Sequence, residues 1–255
     1  MARAAILQRL TWVRATLDFV RRETPSARTL SFTSPAWAGH RPGQHLDLRL
    51  TAPDGYAAHR PYSISSAPTS GRFELTVQKA PGGEVSPFLA EIATPGITVE
   101  FRGPLGGWFV WAPDQRGPVQ LIAGGSGLAP LMSMIRTHRN AGHPDPMRLL
   151  YSTRSPTEML FAQELAPAGQ EVRKGFDATE ATTVFTRSSP PESMRKPSRL
   201  SDVDLRRYCL AAVSRPLCYV CGPTPFVEAV VQILVAIGHD PECIRTERFG
   251  SESDE

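Results

Sequence analysis

The hydrophobic pattern changes character partway along these 255 residues, and no single sheet accommodates both halves. Up to about residue 110 the chain is a series of short runs rich in β-branched and aromatic residues. The runs are 28–33, 45–51, 60–65, 72–79 and 97–101, separated by Gly, Pro, Asp and Ser, the pattern of a small antiparallel barrel or sandwich. Between the last two, 86–92 has helical spacing, with Ser86 where an N-cap would stand. From Pro118 onward, apolar strands at 119–123, 147–152, 182–185, 217–221 and 243–245 alternate with helical patterns near 128–140, 157–165 and 225–237. Strand-helix alternation specifies a parallel, doubly wound α/β sheet. Domains run to about 100–200 residues, so the chain divides into an antiparallel barrel domain over 1–112 and an α/β domain over 113–255. The segment 111–117, with Pro113 and Gly117, is the linker, and the polar stretch 169–199 reads as a long loop. The 24 prolines reflect loops and turns.

Charge and cysteine usage exclude several functions. The net charge is +3, and Lys and Arg do not cluster among aromatics, so nucleic acid is not an expected partner. Arg3, Gln8 and Arg9 break any secretory signal in the first ten residues, and the apolar run 226–238 falls short of the roughly 20 residues of a membrane span. A cytoplasmic protein is expected. Cys218 and Cys221 have metal-ligand spacing, but on a strand residues three apart face opposite sides, so no metal site is expected. The C-x₄-C-x₂-C spacing of a plant-type iron–sulfur cluster is missing, which places any such cluster on another protein.

Two motifs lie where an α/β sheet binds ligands, at the carboxyl ends of strands. After the first strand comes Gly124-Gly125-Ser126-Gly127-Leu128-Ala129-Pro130, opening a helix. Such glycines let the backbone approach a pyrophosphate, whose charge the helix N-terminus stabilises; Pro130 replaces the usual third glycine or alanine. The second strand ends in Ser152-Thr153-Arg154, with no acidic residue for ribose hydroxyls, and Arg187 follows the third strand. Two guanidinium forks suit a 2′-phosphate and favour NADPH over NADH, although strand-end arginines are also ordinary surface residues. Cys221-Gly222-Pro223 ends a later strand. A buried cysteine is more often a small core hydrophobe than a reactive group.

With these, Arg60-Pro61-Tyr62-Ser63 on a strand, Gly82-Gly83-Glu84-Val85-Ser86 before a helix, the turn Gly103-Pro104-Leu105-Gly106-Gly107-Trp108-Phe109 and Thr246-Glu247-Arg248-Phe249-Gly250 occur in the order that resembles the ferredoxin–NADP reductase family, in its two-domain form without a fused ferredoxin domain. The resemblance spans nearly the whole chain. It implies that the barrel binds FAD through Arg60, Pro61, Tyr62, Ser63, Gly83, Val85, Ser86 and Phe249, with Lys79 a weaker candidate. It implies that NADP or NAD binds through Gly125, Gly127, Pro130, Arg154, Arg187, Cys221, Gly222 and Pro223. Ser63, Cys221 and Glu247 are the implied catalytic residues around the flavin and nicotinamide. The implied activity passes hydride from NAD(P)H to FAD and then single electrons to a separate acceptor such as a ferredoxin. Two other readings stay open: a flavin-bearing electron-transfer subunit active only in a complex with an oxygenase, haem protein or metalloenzyme, and a non-redox nucleotide-binding regulator.

Overall fold

In the computed structural model, which describes residues 11–165 and 179–249, two sheets account for the two patterns. The first is antiparallel, with β1 (Val13–Thr24), β2 (Ala27–Thr33), β3 (His45–Thr51), β4 (Ala57–Ser63), β5 (Arg72–Gln78) and β6 (Thr98–Leu105) in the order β4-β3-β6-β1-β2-β5. Its outer strands meet: Ile64 bridges Leu75, and the Ser65 amide donates to the Glu74 carbonyl at 2.9 Å, closing the sheet into a barrel. The interior is rich in aromatic rings. Trp37 packs 4.7 Å from Phe73 and 5.6 Å from Phe101, while Leu17, Leu30, Leu46 and Leu48 are fully buried.

The longest strand, β1, has no counterpart in the sequence reading. Its period breaks at a bulge between Leu17 and Phe19, so Ala15 and Leu17 face the core while Phe19 is exposed. A bulge inserts an extra residue and shifts the side-chain alternation.

The second sheet is parallel, with β7 (Val119–Gly124), β8 (Met147–Thr153), β9 (Thr179–Phe185), β10 (Leu217–Pro223) and β11 (Ile244–Phe249) in the order β11-β10-β7-β8-β9. The chain reverses direction across the sheet between β7 and β10, and such a switch point opens a crevice at the strands' carboxyl ends. Helix Leu128–Asn140 covers one face, and helices Asp202–Tyr208 and Thr224–Ala236 cover the other. Cys218 and Cys221 lie in opposite core layers, and all four cysteines are free.

Three local expectations need correction. The helix expected at 157–165 is only a 3₁₀ turn, Pro156–Glu158, and the single helical turn Ala162–Leu165, because Phe161 between them adopts φ +52°. Ser86 is not an N-cap: it lies within the turn Val85–Pro87, and its buried hydroxyl accepts the Ala80 amide at 3.0 Å. The strand expected at 182–185 begins earlier, at Thr179, as β9, and the part of the expected long loop that follows it, 186–199, is folded around Arg195. That guanidinium pairs with Asp204 at 2.7 Å and donates to the carbonyls of Phe185, Lys196, Ser198 and Arg199. Residues 169–178 of that stretch lie outside the described residues.

The connection between the sheets is packed. Trp111 is fully buried against the rings of His138 and His143, and its amide donates to the Pro42 carbonyl. Arg136 holds the two domains together by donating to the Ser65 carbonyl and Glu74 of the barrel and to Glu164 of the α/β domain. Beside it, Ser133 Oγ donates to the Ser66 carbonyl at 2.6 Å, and His40 Nε2 lies 3.1 Å from the same carbonyl.

Burial lowers the pKa of His40 to about 4, against the smaller opposing effect of its bond to Ser66. The folded protein therefore takes up this proton later than the unfolded chain. The neutral ring's contribution is complete above pH 6.5 and is lost as pH falls toward 4. One pKa unit is about 1.4 kcal/mol, so acid should remove roughly 2–3 kcal/mol through this residue. Calorimetric melting between pH 7 and 4 is expected to show a steeper fall for the parent than for His40→Asn.

Candidate active site

Strand β4 lies at the edge of the barrel sheet, where Pro61, opposite Asp47, costs no ladder bond on its free side. Opposite Ser63 on the neighbouring strand stands His45. The Ser63 hydroxyl is buried and has no hydrogen-bond partner among the described residues. In the other domain, β10 and β11 set Cys221 beside Glu247. Glu247 reaches across the domain boundary, with Oε1 3.5 Å from His45 Nδ1, while its buried Oε2 has no hydrogen-bond partner among the described residues. Ser63, Cys221 and Glu247 thus converge through His45, a residue not singled out in the sequence. His45 packs against Gly106, where a Cβ would sit 3.3 Å from the imidazole, and Gln44 Nε2 donates to the Gly106 carbonyl. Cys221 is fully buried. Burial, reinforced by the Glu247 carboxylate, holds its thiol well above the ordinary pKa, so it is a neutral group and not a nucleophilic thiolate.

Along β4 from Ser63, Tyr62 is half-buried, with burial raising its phenol pKa, and Arg60 is exposed. Arg60 Nη1 donates to the adjacent His59 carbonyl, leaving the rest of its fork facing a depression of about 360 Å³ shared with Gly82 and Glu84. The first two motifs thus meet at one place. Gly82 has φ +73°, a conformation suited to glycine. Val85 is buried and anchors the turn; Gly83 lies under Ser86. Lys79 is engaged elsewhere, ion-paired with Glu91 at 2.8 Å.

The glycine motifs of the α/β domain lie at the switch point. A Cβ on Gly127 would stand 2.2 Å from the Cys221 carbonyl oxygen, so the Gly124–Gly127 turn touches the end of β10 directly. Gly124 and Gly222 make room in the same way for the Phe226 ring. Gly125 has φ +55°, and Pro130 sits in the first helical turn, where its missing N–H leaves no bond unmade. Pro223 is exposed at the rim. At the ends of β8 and β9 the Arg187 amide donates to the Arg154 carbonyl at 2.9 Å, so both arginines emerge together at the edge of the crevice. Phe249 packs against the α/β core and is partly exposed, while Gly250 lies outside the described residues.

A flavin and a nicotinamide fit these residues. An unpaired buried hydroxyl, an unpaired buried carboxylate oxygen and a glycine cradle converge on one crevice, where such polar groups require partners. Among the described residues, no group of three or more His, Cys, Asp and Glu could hold a metal ion, and no helix is long and apolar enough to cross a membrane.

An oxidoreductase FAD-binding domain model matches residues 15–110, and an oxidoreductase NAD-binding domain model matches 121–232. The chain belongs to the ferredoxin–NADP reductase family. As such it is an FAD- and NAD-binding oxidoreductase, with the antiparallel barrel and parallel sheet of that two-domain fold. It is 29% identical to the toluate 1,2-dioxygenase electron transfer component of Pseudomonas putida, over 93% of this chain and 67% of the relative. It is 28% identical to the propane 2-monooxygenase reductase component of Rhodococcus jostii, over 87% of this chain and 59% of the relative. This family member therefore spans about three fifths to two thirds of the length of those relatives. Its fold matches the flavohaem-like FAD/NAD-binding domain of nitric oxide dioxygenase from Vibrio cholerae, with a TM-score of 0.80 at 23% identity, over 93% of this chain and 98% of that one.

Proposed function

We propose that this chain is a reductase that draws electrons from NAD(P)H and delivers them singly to an acceptor on another protein, such as a ferredoxin. The observation that carries the reading is the convergence of Ser63, His45, Cys221 and Glu247 at the switch-point crevice, with Ser63 Oγ and Glu247 Oε2 buried and unpaired. FAD, when bound, accepts an electron pair from a reduced nicotinamide and releases electrons one at a time. The protein supplies binding, orientation and electrostatics. Arg60 and the Gly82–Ser86 turn would hold the flavin phosphates; Pro61 would shape the edge strand, and Tyr62 and Phe249 would pack on the ring system. Ser63 would satisfy its hydroxyl at the flavin ring. Gly125, Gly127 and Pro130 would admit the nucleotide pyrophosphate, and Cys221, Gly222 and Pro223 would wall the nicotinamide pocket. Glu247, held at the boundary by His45, can take up or release a proton where the two rings would meet.

Two relatives named as an electron transfer component and a reductase component favour a second reading, in which the chain acts as a subunit of an oxygenase system and works only in that complex. Reduction of ferricyanide by the isolated protein with NAD(P)H separates the two, because a subunit silent on its own would not turn over. We place the domain boundary at residues 112 and 113, between the two matched ranges, and the protein in the cytoplasm, where four free cysteines stay reduced.

Arg154 and Arg187 favour NADPH. A charge-assisted contact of this kind is worth about 1.5–3 kcal/mol, so replacing both with alanine should raise KM for NADPH at least about tenfold while leaving KM for NADH within about twofold. Steady-state kinetics with both nucleotides checks this, and equal losses would remove the 2′-phosphate assignment.

A further inference from the structure

Near the end of β1 a second bulge leaves Glu23 without a partner on β2, since Arg22 pairs with Arg28 and Thr24 with Ala27. A bulge takes a residue out of the ladder and re-aims its side chain. The Glu23 side chain is only 6% exposed, and it joins the two domains. Oε1 accepts from Arg21 Nε at 2.8 Å and from the Thr29 hydroxyl at 2.7 Å, both on the barrel, while Oε2 accepts the backbone amide of Phe161, in the α/β domain, at 3.1 Å.

Phe161 needs such a hold. It adopts φ +52°, and its buried ring packs in the α/β core with Leu160 and with Ala27 of the barrel. A left-handed backbone is unfavourable for a residue with a Cβ and persists where the surroundings over-determine it. The stretch from the end of β8 to Phe161 is short and tied down at intervals. Thr153 Oγ1 donates to the Glu158 carbonyl at 3.2 Å, the Leu160 amide donates to the Tyr151 hydroxyl at 3.3 Å, and Arg154 pairs with Glu158 at 3.8 Å. Arg154 therefore sits on a segment anchored by β8 at one end and by a barrel carboxylate at the other.

We propose that Glu23 is a positioning residue for the nicotinamide nucleotide: by holding Phe161 from the barrel it fixes the segment that carries Arg154, so one domain sets the NADPH preference of the other. This rests on the reading of Arg154 as a 2′-phosphate residue. Cohesion of the domains has other sources, since Arg136 and Ser133 join them independently. None of Arg21, Thr29 and Phe161 is a residue proposed to bind flavin or nucleotide, so a loss specific to NADPH would have to pass through the segment.

Steady-state kinetics of the FAD-loaded full-length chain with NADPH and with NADH test the role in the parent, Glu23→Gln, Glu23→Asp, Arg154→Ala and the double variant Glu23→Gln/Arg154→Ala. Glutamine keeps the shape and loses the charge; aspartate keeps the charge but is too short to hold Thr29 and Phe161 together. Each Glu23 variant is expected to raise KM for NADPH at least about threefold, with kcat and KM for NADH within about twofold, the pattern of lost binding without lost chemistry. The retained NADH kinetics also show that the variants fold. Arg154→Ala should raise KM for NADPH at least about fivefold, and adding Glu23→Gln to it should change that KM by less than about twofold, because residues acting through one contact are not additive. An unchanged KM for NADPH in the Glu23 variants, equal rises for both nucleotides, or a full additional loss in the double variant would overturn the proposal. A parental KM for NADPH in Arg154→Ala would overturn the 2′-phosphate reading beneath it.

Discussion

Arg60→Ala is expected to purify with little or no flavin and to bind added FAD about 10–100-fold more weakly than the parent. The guanidinium spends one donor on the His59 carbonyl and otherwise faces the depression shared with Gly82 and Glu84, and among the described residues it makes no ion pair that alanine would break. Its loss should therefore leave the melting temperature of the flavin-free protein unchanged. A diphosphate, by contrast, would lose a charge-assisted partner worth about 1.5–3 kcal/mol, more so because Glu84 would then stand near it unopposed. Flavin-to-protein absorbance ratios and a fluorescence titration measure the effect. A variant that purifies as yellow as the parent would remove Arg60 from the flavin site.

Gly127→Ala should have a large effect on the other domain. Its Cβ would fall 2.2 Å from the Cys221 carbonyl oxygen and 2.7 Å from the Gly222 amide nitrogen. Both are backbone atoms, so no change of rotamer relieves the overlap. The helix and β10 must move apart, and overpacking of this kind costs about 1–3 kcal/mol. For a chain of this size that corresponds to a fall in Tm of about 3–10 °C. The same movement opens the junction between the glycine turn and Cys221, so KM for the nicotinamide nucleotide should rise at least about tenfold while FAD binding is retained. Gly107→Ala is the control: a Cβ there meets nothing within 4 Å, and its melting curve should match the parent's.

The sequence is most legible where chemistry imposes local backbone rules. The Gly124–Gly127 turn was readable because a strand, a glycine run and a helix must follow one another there, and Cys221–Pro223 because strand ends face the crevice. Side-chain convergence was harder to read. His45 meets Glu247 from a strand some 200 residues earlier, and nothing local to Gln44-His45-Leu46 announces it. β1 stayed hidden because its bulge turns Phe19 outward among charged neighbours. The helix Asp202–Tyr208 had a usable signal, the capping box in which Ser201 and Asp204 satisfy each other's backbone, two residues beyond the stretch read as a loop. The break at Phe161 had none, since a left-handed phenylalanine is imposed by packing. Glu23, which accepts the Phe161 amide, was equally silent, because the bulge that takes it out of the ladder depends on both strands.

Anaerobic stopped-flow absorbance of the FAD-loaded protein, mixed with NADPH and, separately, with NADH, measures whether one crevice brings a bound flavin and a nicotinamide into reacting distance. Full bleaching of the flavin band is expected in a saturable phase that is lost or slowed at least about tenfold in Gly127→Ala, with NADPH saturating at the lower concentration. A protein that holds FAD and binds the nucleotide yet leaves the flavin oxidised would contradict that convergence.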